Sequence, residues 1–486
     1  MRNSCINSNT NVRTLIQNTF IGLIWFANSM QFSLSPRGSF FSDSLAYGAG
    51  DIRNWEQLSF LGNSLRNWPI VLLNVALGDR VLQTFAQFAV SAFVWSYLIW
   101  NIQRYISGRT YYVVSAMITI LAISPHVISW NSVLLAESYA TSGLVLALIF
   151  GFRYSVTKSK IDRYLFAGAI LFWATLQSRH FLALLVLALV SLPFLSRSIF
   201  KSLRSMGIGT IIALSLTVSY IGFININQQT NDFNPGISYR AFSNIYTFAA
   251  HSQSTVIKSS LANEPGFECV ELLKNTDVIV IAEKLVKNCP IALKWLEENY
   301  SFWYAKFLAQ HPTYTLKLLV EGIASSNNPP EFYAGTVSIT PTILNSIYFG
   351  SRNYSFGSFE NVSDKMVLVE NDKQQFVVIT KGNTVSYNAI KANAPIFLWF
   401  YLGILLLLRN LYKSAHVFQK TKVKELNPLM WLVCLSLLGF AINLLVCPAE
   451  YFKLTIQFAT LLFLGTILLA ATEVNSRAES HEGIEN

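Results

Sequence analysis

The chain has 486 residues, of which 52% are hydrophobic, 14% aromatic and only 13% charged. Soluble globular chains carry about 25% charged residues, so this balance excludes an ordinary soluble domain and points to a membrane-embedded chain with aromatic belts at its span ends. The net charge of +10 forms no basic stripe; Lys and Arg fall in short segments between apolar runs, which argues against nucleic acid as a partner.

Apolar runs recur at 14–34, 81–100, 111–126, 133–152, 164–177, 181–195, 206–226, 394–409, 428–447 and 453–472. A perpendicular membrane helix needs about 20 residues, so the shorter runs must sit among other helices or border aqueous cavities. The first run shows no signal-peptide cleavage site and is read as an uncleaved span. The stretch from Tyr164 to Leu195 is divided at Gln177-Ser178-Arg179-His180, because four polar residues in mid-membrane are costly. With the N-terminus cytoplasmic, the inner segments hold seventeen Lys and Arg between Arg2 and Arg477. The short outer segments hold six: Arg37, Arg53, Arg66, Arg80, Arg179 and Lys453. That asymmetry satisfies the positive-inside rule.

The predicted fold is therefore an all-α polytopic membrane protein with a mixed α/β extracytoplasmic domain between spans 7 and 8. Residues 1–226 form a transmembrane module with a first outer loop at 35–80, and 227–392 form the outer domain. Residues 393–472 supply the C-terminal spans, and 473–486 are a polar cytoplasmic tail. The expected location is a bacterial inner (plasma) membrane with both termini cytoplasmic. Within the outer domain, 278–325 reads as helical, with Trp295, Tyr300, Trp303 and Tyr304 along it. Met366–Thr380 alternates apolar and polar residues around Asn371-Asp372, as a β-hairpin does. Cys269 and Cys289 can pair if this segment faces an oxidising compartment. Sequons at Asn299, Asn353 and Asn361 matter only in a eukaryotic secretory pathway.

Ionisable groups at membrane depth carry the functional signal, because each is costly unless paired or hydrated. Four places qualify, and the topology puts all four at the outer face. Asp43 follows the first span closely, with Tyr47 at i+4 and Asp51 beyond; Asp43 can cap an interfacial helix, take part in chemistry, or do both. Glu137 lies about one turn inside the outer end of the fourth span and can share a proton, pair with Arg179 or bind a cation. Arg179-His180 occupy the tight turn after the fifth run, where a planar guanidinium suits a phosphate and the alternative is snorkelling to head groups. Glu450-Tyr451, with Lys453, opens the last span. The histidines have no zinc-ligand spacing, so no metal site is assigned. A Walker loop, a dinucleotide fingerprint and a nucleophile elbow are all missing from the sequence.

In this arrangement the chain resembles the GT-C glycosyltransferases, the polytopic class that includes protein mannosyltransferases and the aminoarabinose transferases of lipid A. The resemblance rests on the acidic first outer loop with its Tyr (Asp43, Tyr47) and on the stretch from Ser132 to Glu137 opening span four. It also rests on the basic turn Ser178-Arg179-His180 and on a large outer domain late in the chain. It covers residues 10–225 best. Asp43 is followed by Ser44 where several relatives have two adjacent acids, and Arg179 stands where Lys is commoner. The resemblance implies inverting sugar transfer from a polyprenyl-phosphate donor to an acceptor hydroxyl on a glycan, lipid or protein. It implies Asp43 as base, Glu137 assisting, Arg179, His180 and Lys453 near the donor phosphate, and Tyr47, Asp51, Glu450 and Tyr451 around the substrates. A divalent cation, Mg or Mn, is an open cofactor. Two other classes share many spans: an O-antigen-type ligase or polymerase, and a secondary transporter or flippase of lipid-linked sugar.

Overall fold

The computed structural model describes residues 2–34, 36, 68–132, 134, 136–176, 180, 183–184, 186–187, 241, 244–245, 247–248, 255–267, 285–325, 336–339, 366–370, 376–380, 401–410, 428–446 and 451–482. These residues are mostly helical. Helix α1 spans Arg2–Leu34, α2 Trp68–Leu77, α3 Arg80–Tyr105 and α4 Gly108–Ala122. A short α5 (Pro125–Ile128) and a 3-10 turn (Ser129–Ser132) lead into α6 (Ala136–Thr157) and α7 (Lys160–Leu176). Further on lie α8 (Thr255–Leu261), α9 (Pro290–Glu298), α10 (Tyr300–Gln310) and α11 (Pro312–Ser325). The last helices are α12 (Tyr401–Asn410), α13 (Pro428–Val446) and α14 (Tyr451–Glu482).

Three of these helices are long and apolar enough to cross a membrane: α3, α6 and, over Pro428–Leu445, α13. Shorter apolar stretches are α12 and the Gln457–Thr472 part of α14. Local chemistry sets the boundaries. Gly78 takes a positive φ of 66° before Asp79, whose carboxylate accepts from the backbone N–H groups of Val81 (2.7 Å) and Leu82 (3.2 Å) to cap α3. Between α6 and α7 the chain turns at Lys158 with φ 55°, where the Thr157 hydroxyl donates to Asp162 at 2.9 Å.

The packing fixes the direction of each helix. Asn28 near the end of α1 bonds Asn131 just before α6, and Phe32 packs edge-on against Phe85 and Phe88 at the start of α3. At the opposite end of α1, Arg13 donates to the carbonyls of Gln103 and Ile106, which complete the last turn of α3. Thus α1 and α3 are antiparallel. Gly143 faces Trp173 while Gly151 faces Phe166, so α6 and α7 are antiparallel, and Gly151 also meets Leu432 near the start of α13. Gly439 lies against Phe458 and Gly465 against Val433, so α13 and α14 are antiparallel too. Small residues at these crossings let helices approach closely where water expulsion does not drive association.

Helix α6 is the hub, packing on α3, α7, α13 and α14. Residues 136–152 of α6 are buried or partly buried on every side, as suits a helix with no solvated face. Consequently the bundle has two chemically distinct ends. One gathers Arg13, Arg104, Arg153 and Arg163; there Arg153 pairs with Asp162 at 2.8 Å and donates to the Tyr97 hydroxyl at 2.8 Å. The other end collects buried neutral polar groups, among them Asn28, Gln83, Gln87, Asn131, Asn443 and Gln457.

A second core is aromatic: Phe248, Phe267, Trp295, Tyr300, Tyr304 and Phe307 pack together from α8 through α10. Gly266, at φ 80°, permits the turn after α8, since a Cβ there would come within 2.6 Å of the Ala292 backbone nitrogen. Asn244 ties this core together, donating to Leu296 O at 2.7 Å and accepting from Ser301 at 2.7 Å. Cys289 is disulfide-bonded; its expected partner, Cys269, lies outside the described residues. Strands β1 (Thr336–Ile339), β2 (Met366–Glu370) and β3 (Phe376–Thr380) pair antiparallel in the order β1-β3-β2. The β2–β3 register, from Met366 opposite Thr380 to Glu370 opposite Phe376, brackets 371–375, which lie outside the described residues.

Candidate functional site

The end of the bundle rich in buried neutral polar groups holds two of the sequence-predicted residues, Glu137 and His180. Glu137 occupies the first turn of α6 and is 1% exposed. A helix N-terminus is a favourable place for a carboxylate, because the free N–H groups and the helix dipole both attract negative charge. Beside it in sequence, Ser138 donates to Asn131 Oδ1 at 2.6 Å. Asn131 in turn donates to Asn28 Oδ1 at 3.0 Å, and Asn28 Nδ2 returns to Ile24 O at 2.9 Å within α1. All three of these partners are buried. The chain of bonds locks α1 near its exit to the entrance of α6.

His180 forms a second lock. Its ring stacks on Trp173, with centroids 3.9 Å apart, and is 1% exposed. Nδ1 lies 2.7 Å from Trp173 O, and Nε2 lies 2.9 Å from Gln457 Nε2. Trp173 Nε1 donates to Gln457 Oε1 at 2.9 Å. One proton arrangement satisfies every atom: Nδ1–H donates to the carbonyl, Nε2 accepts from the Gln457 amide, and the Gln457 oxygen accepts from the indole. Phe458 closes the cluster edge-on against both rings. His180 therefore joins α7 to α14, with both ring nitrogens engaged by protein groups.

Of the sequence-predicted residues, Glu137 and His180 lie buried at this end. Tyr451 and Lys453 fall in the first turn of α14, six and four residues before Gln457. Their side chains, together with Asp43, Tyr47, Asp51, Arg179 and Glu450, lie outside the described residues. Covalent connection still bounds some of them. Arg179 adjoins His180, one Cα step of about 3.8 Å away. Asp43 follows the end of α1 by nine residues. Among the described residues, no three His, Cys, Asp or Glu side chains come together as a metal site.

Sequence reasoning missed Asn28, Asn131, Ser138, Trp173 and Gln457. Their signal was present, as amides, a hydroxyl and an indole N–H in or beside apolar runs, but charged groups drew the reading away from them. A neutral amide in hydrocarbon carries the same demand for a partner at lower cost. In comparisons with known proteins, the chain matches no family model, no curated protein and no solved structure.

Proposed function

We propose that the protein is a multi-pass membrane glycosyltransferase of the GT-C type. It would move a sugar from a polyprenyl-phosphate donor to an acceptor hydroxyl at the outer face of a bacterial inner membrane. The observation that carries this reading is the buried Glu137 at the mouth of α6. It sits at the bundle end where the Asp43 loop departs and where His180, the neighbour of Arg179, is anchored. Three helices of membrane-crossing length and the clustering of arginines at the opposite end support the membrane setting.

In this proposal the acceptor oxygen attacks the anomeric carbon as the bond from that carbon to the donor phosphate breaks, inverting the centre. Asp43 takes the hydroxyl proton. The leaving polyprenyl phosphate carries the negative charge, which Arg179 meets with its fork of donors, aided by Lys453. Tyr47, Asp51, Glu450 and Tyr451 would border the two substrates, and residues 227–392 would hold the acceptor. Glu137 would order the site or assist Asp43.

The test is transfer of labelled sugar from a panel of polyprenyl-phosphate donors by purified protein in lipid. Asp43→Asn should lower turnover by about 10²–10⁴-fold with an unchanged elution profile. Glu137→Gln and Arg179→Ala should each lower it as well. Full activity in all three variants would overturn the assignment of roles. Failure of every donor, with movement of lipid-linked sugar across sealed vesicles instead, would replace the transferase reading with a flippase.

A further inference from the structure

Helices α10 and α11 fall in the segment that the sequence assigns to an aqueous outer domain, yet their contacts lead into the bundle. Helix α11 packs against α13, one of the three helices of membrane-crossing length. Leu319 of α11 packs on the bundle core, while Tyr314, in its first turn, packs on the aromatic core. The Tyr304 hydroxyl of α10 donates to Leu445 O in the last turn of α13 at 3.0 Å. The two helices are thus pinned to the flank and tip of a helix built for hydrocarbon.

The faces they turn away from the protein carry large apolar side chains among polar ones. Phe302 on α10 is 79% exposed, and on α11 Leu316 and Val320, one turn apart, are 62% and 56% exposed. Isolated exposed apolar residues on a water-facing surface need no explanation. Here they lie on helices packed against a membrane-crossing helix, and Lys306 and Lys317 are exposed cations among them. Exposed large apolar side chains interspersed with lysines are the pattern of a helix lying in the bilayer interface, with aliphatic stems in the acyl region and ammonium groups at the phosphates.

We propose that α10 and α11 lie in the outer-leaflet interface, with Phe302, Leu316 and Val320 among the acyl chains and Lys306 and Lys317 at phospholipid headgroups. This inference rests on the membrane reading of the bundle but not on sugar transfer. At 14 residues, α11 is about 21 Å long, too short to cross the hydrocarbon and long enough to lie along it. The lipid-bound donor would then approach past an interfacial helix pair, not from beneath a fully aqueous domain.

The test uses the full chain in vesicles of phosphatidylcholine and phosphatidylglycerol. The photoreactive substitution Leu316→p-benzoylphenylalanine is compared with the same substitution at Phe93, which is 59% exposed on α3. After irradiation, a phospholipid-sized mass increase on the peptide containing position 316, matching that at position 93, is expected. Lipid adducts at 93 with none at 316 would overturn the proposal while leaving the membrane reading intact. A peptide adduct at 316 would also overturn it, by showing that protein covers the face. Absence of lipid adducts at both positions would overturn the membrane reading itself. Photolabelling from Phe302→p-benzoylphenylalanine repeats the measurement on α10.

Discussion

Gln457 shows how one neutral side chain can organise a site that the charged residues suggest. Its oxygen accepts from Trp173 and its amide faces His180, so a single residue of α14 fixes the end of α7 and the chain that carries Arg179. Replacing it with an isosteric apolar group should leave the indole N–H and the imidazole Nε2 without these partners, each at a cost of about 1–3 kcal/mol. Gln457→Leu is therefore expected to lower the midpoint of thermal unfolding in detergent, followed by Trp fluorescence. If the proposed phosphate role of Arg179 is right, it should also raise the KM for donor more than it lowers kcat. An unchanged midpoint would show that the three-residue lock contributes nothing. The sequence exposed His180 as a candidate but not its role. Its stacking partner, Trp173, comes from the preceding helix and its amide partner from 277 residues further along. No local pattern encodes such a pairing.

At the scale of elements, legibility followed the strength of the periodic signal. The runs at 81–100, 133–152 and 428–447 became helices α3, α6 and α13, because long uninterrupted apolar stretches have no competing local structure. Boundaries shifted where turn chemistry intervened: the helix expected from residue 133 begins at Ala136, after the 3-10 turn Ser129–Ser132. The helical reading of 278–325 was right over 290–325, but its destination was not legible. Amphipathicity shows that a helix has an apolar face without naming what the face meets, and α11 meets α13. The aromatic core of α8–α10 has its own alkaline limit. Complete burial raises the Tyr300 phenol well above its usual value of 10, with Tyr304 and Tyr314 adding to the shift. Above about pH 10 the unfolded chain releases this proton while the folded chain retains it, so unfolding is favoured increasingly as pH rises toward the folded value. The Tyr300 hydroxyl also has no hydrogen-bond partner among the described residues. Tyr300→Phe should therefore leave the melting midpoint at pH 7.5 unchanged or raised, and should flatten its decline between pH 9 and 11. A decline as steep as the wild type's would mean that other groups set the alkaline limit.

For the whole molecule, two independent properties bear on sidedness. The first is charge: Arg13, Arg104, Arg153 and Arg163 gather at one end of the bundle, and Lys/Arg-rich ends stay in the cytoplasm. The second is redox chemistry. Cys289 is disulfide-bonded within the aromatic core, and Tyr304 of that core touches the α13 tip at the opposite end of the bundle. Disulfides persist in oxidising compartments, so this end should face outward. Charge and sulfur chemistry, from different residues, thus predict the same orientation. Helix α14 runs from the Gln457 end toward the arginine end, so its C-terminus should emerge in the cytoplasm. A green fluorescent protein fused after Asn486 is expected to fluoresce, and alkaline phosphatase fused there should be inactive. Phosphatase inserted after Arg66, between α1 and α2, should be active. The reverse pattern would invert both assignments together, bringing Glu137, His180 and the Asp43 loop to the cytoplasmic face. Transfer from a donor exposed in the outer leaflet would then be physically impossible for this site.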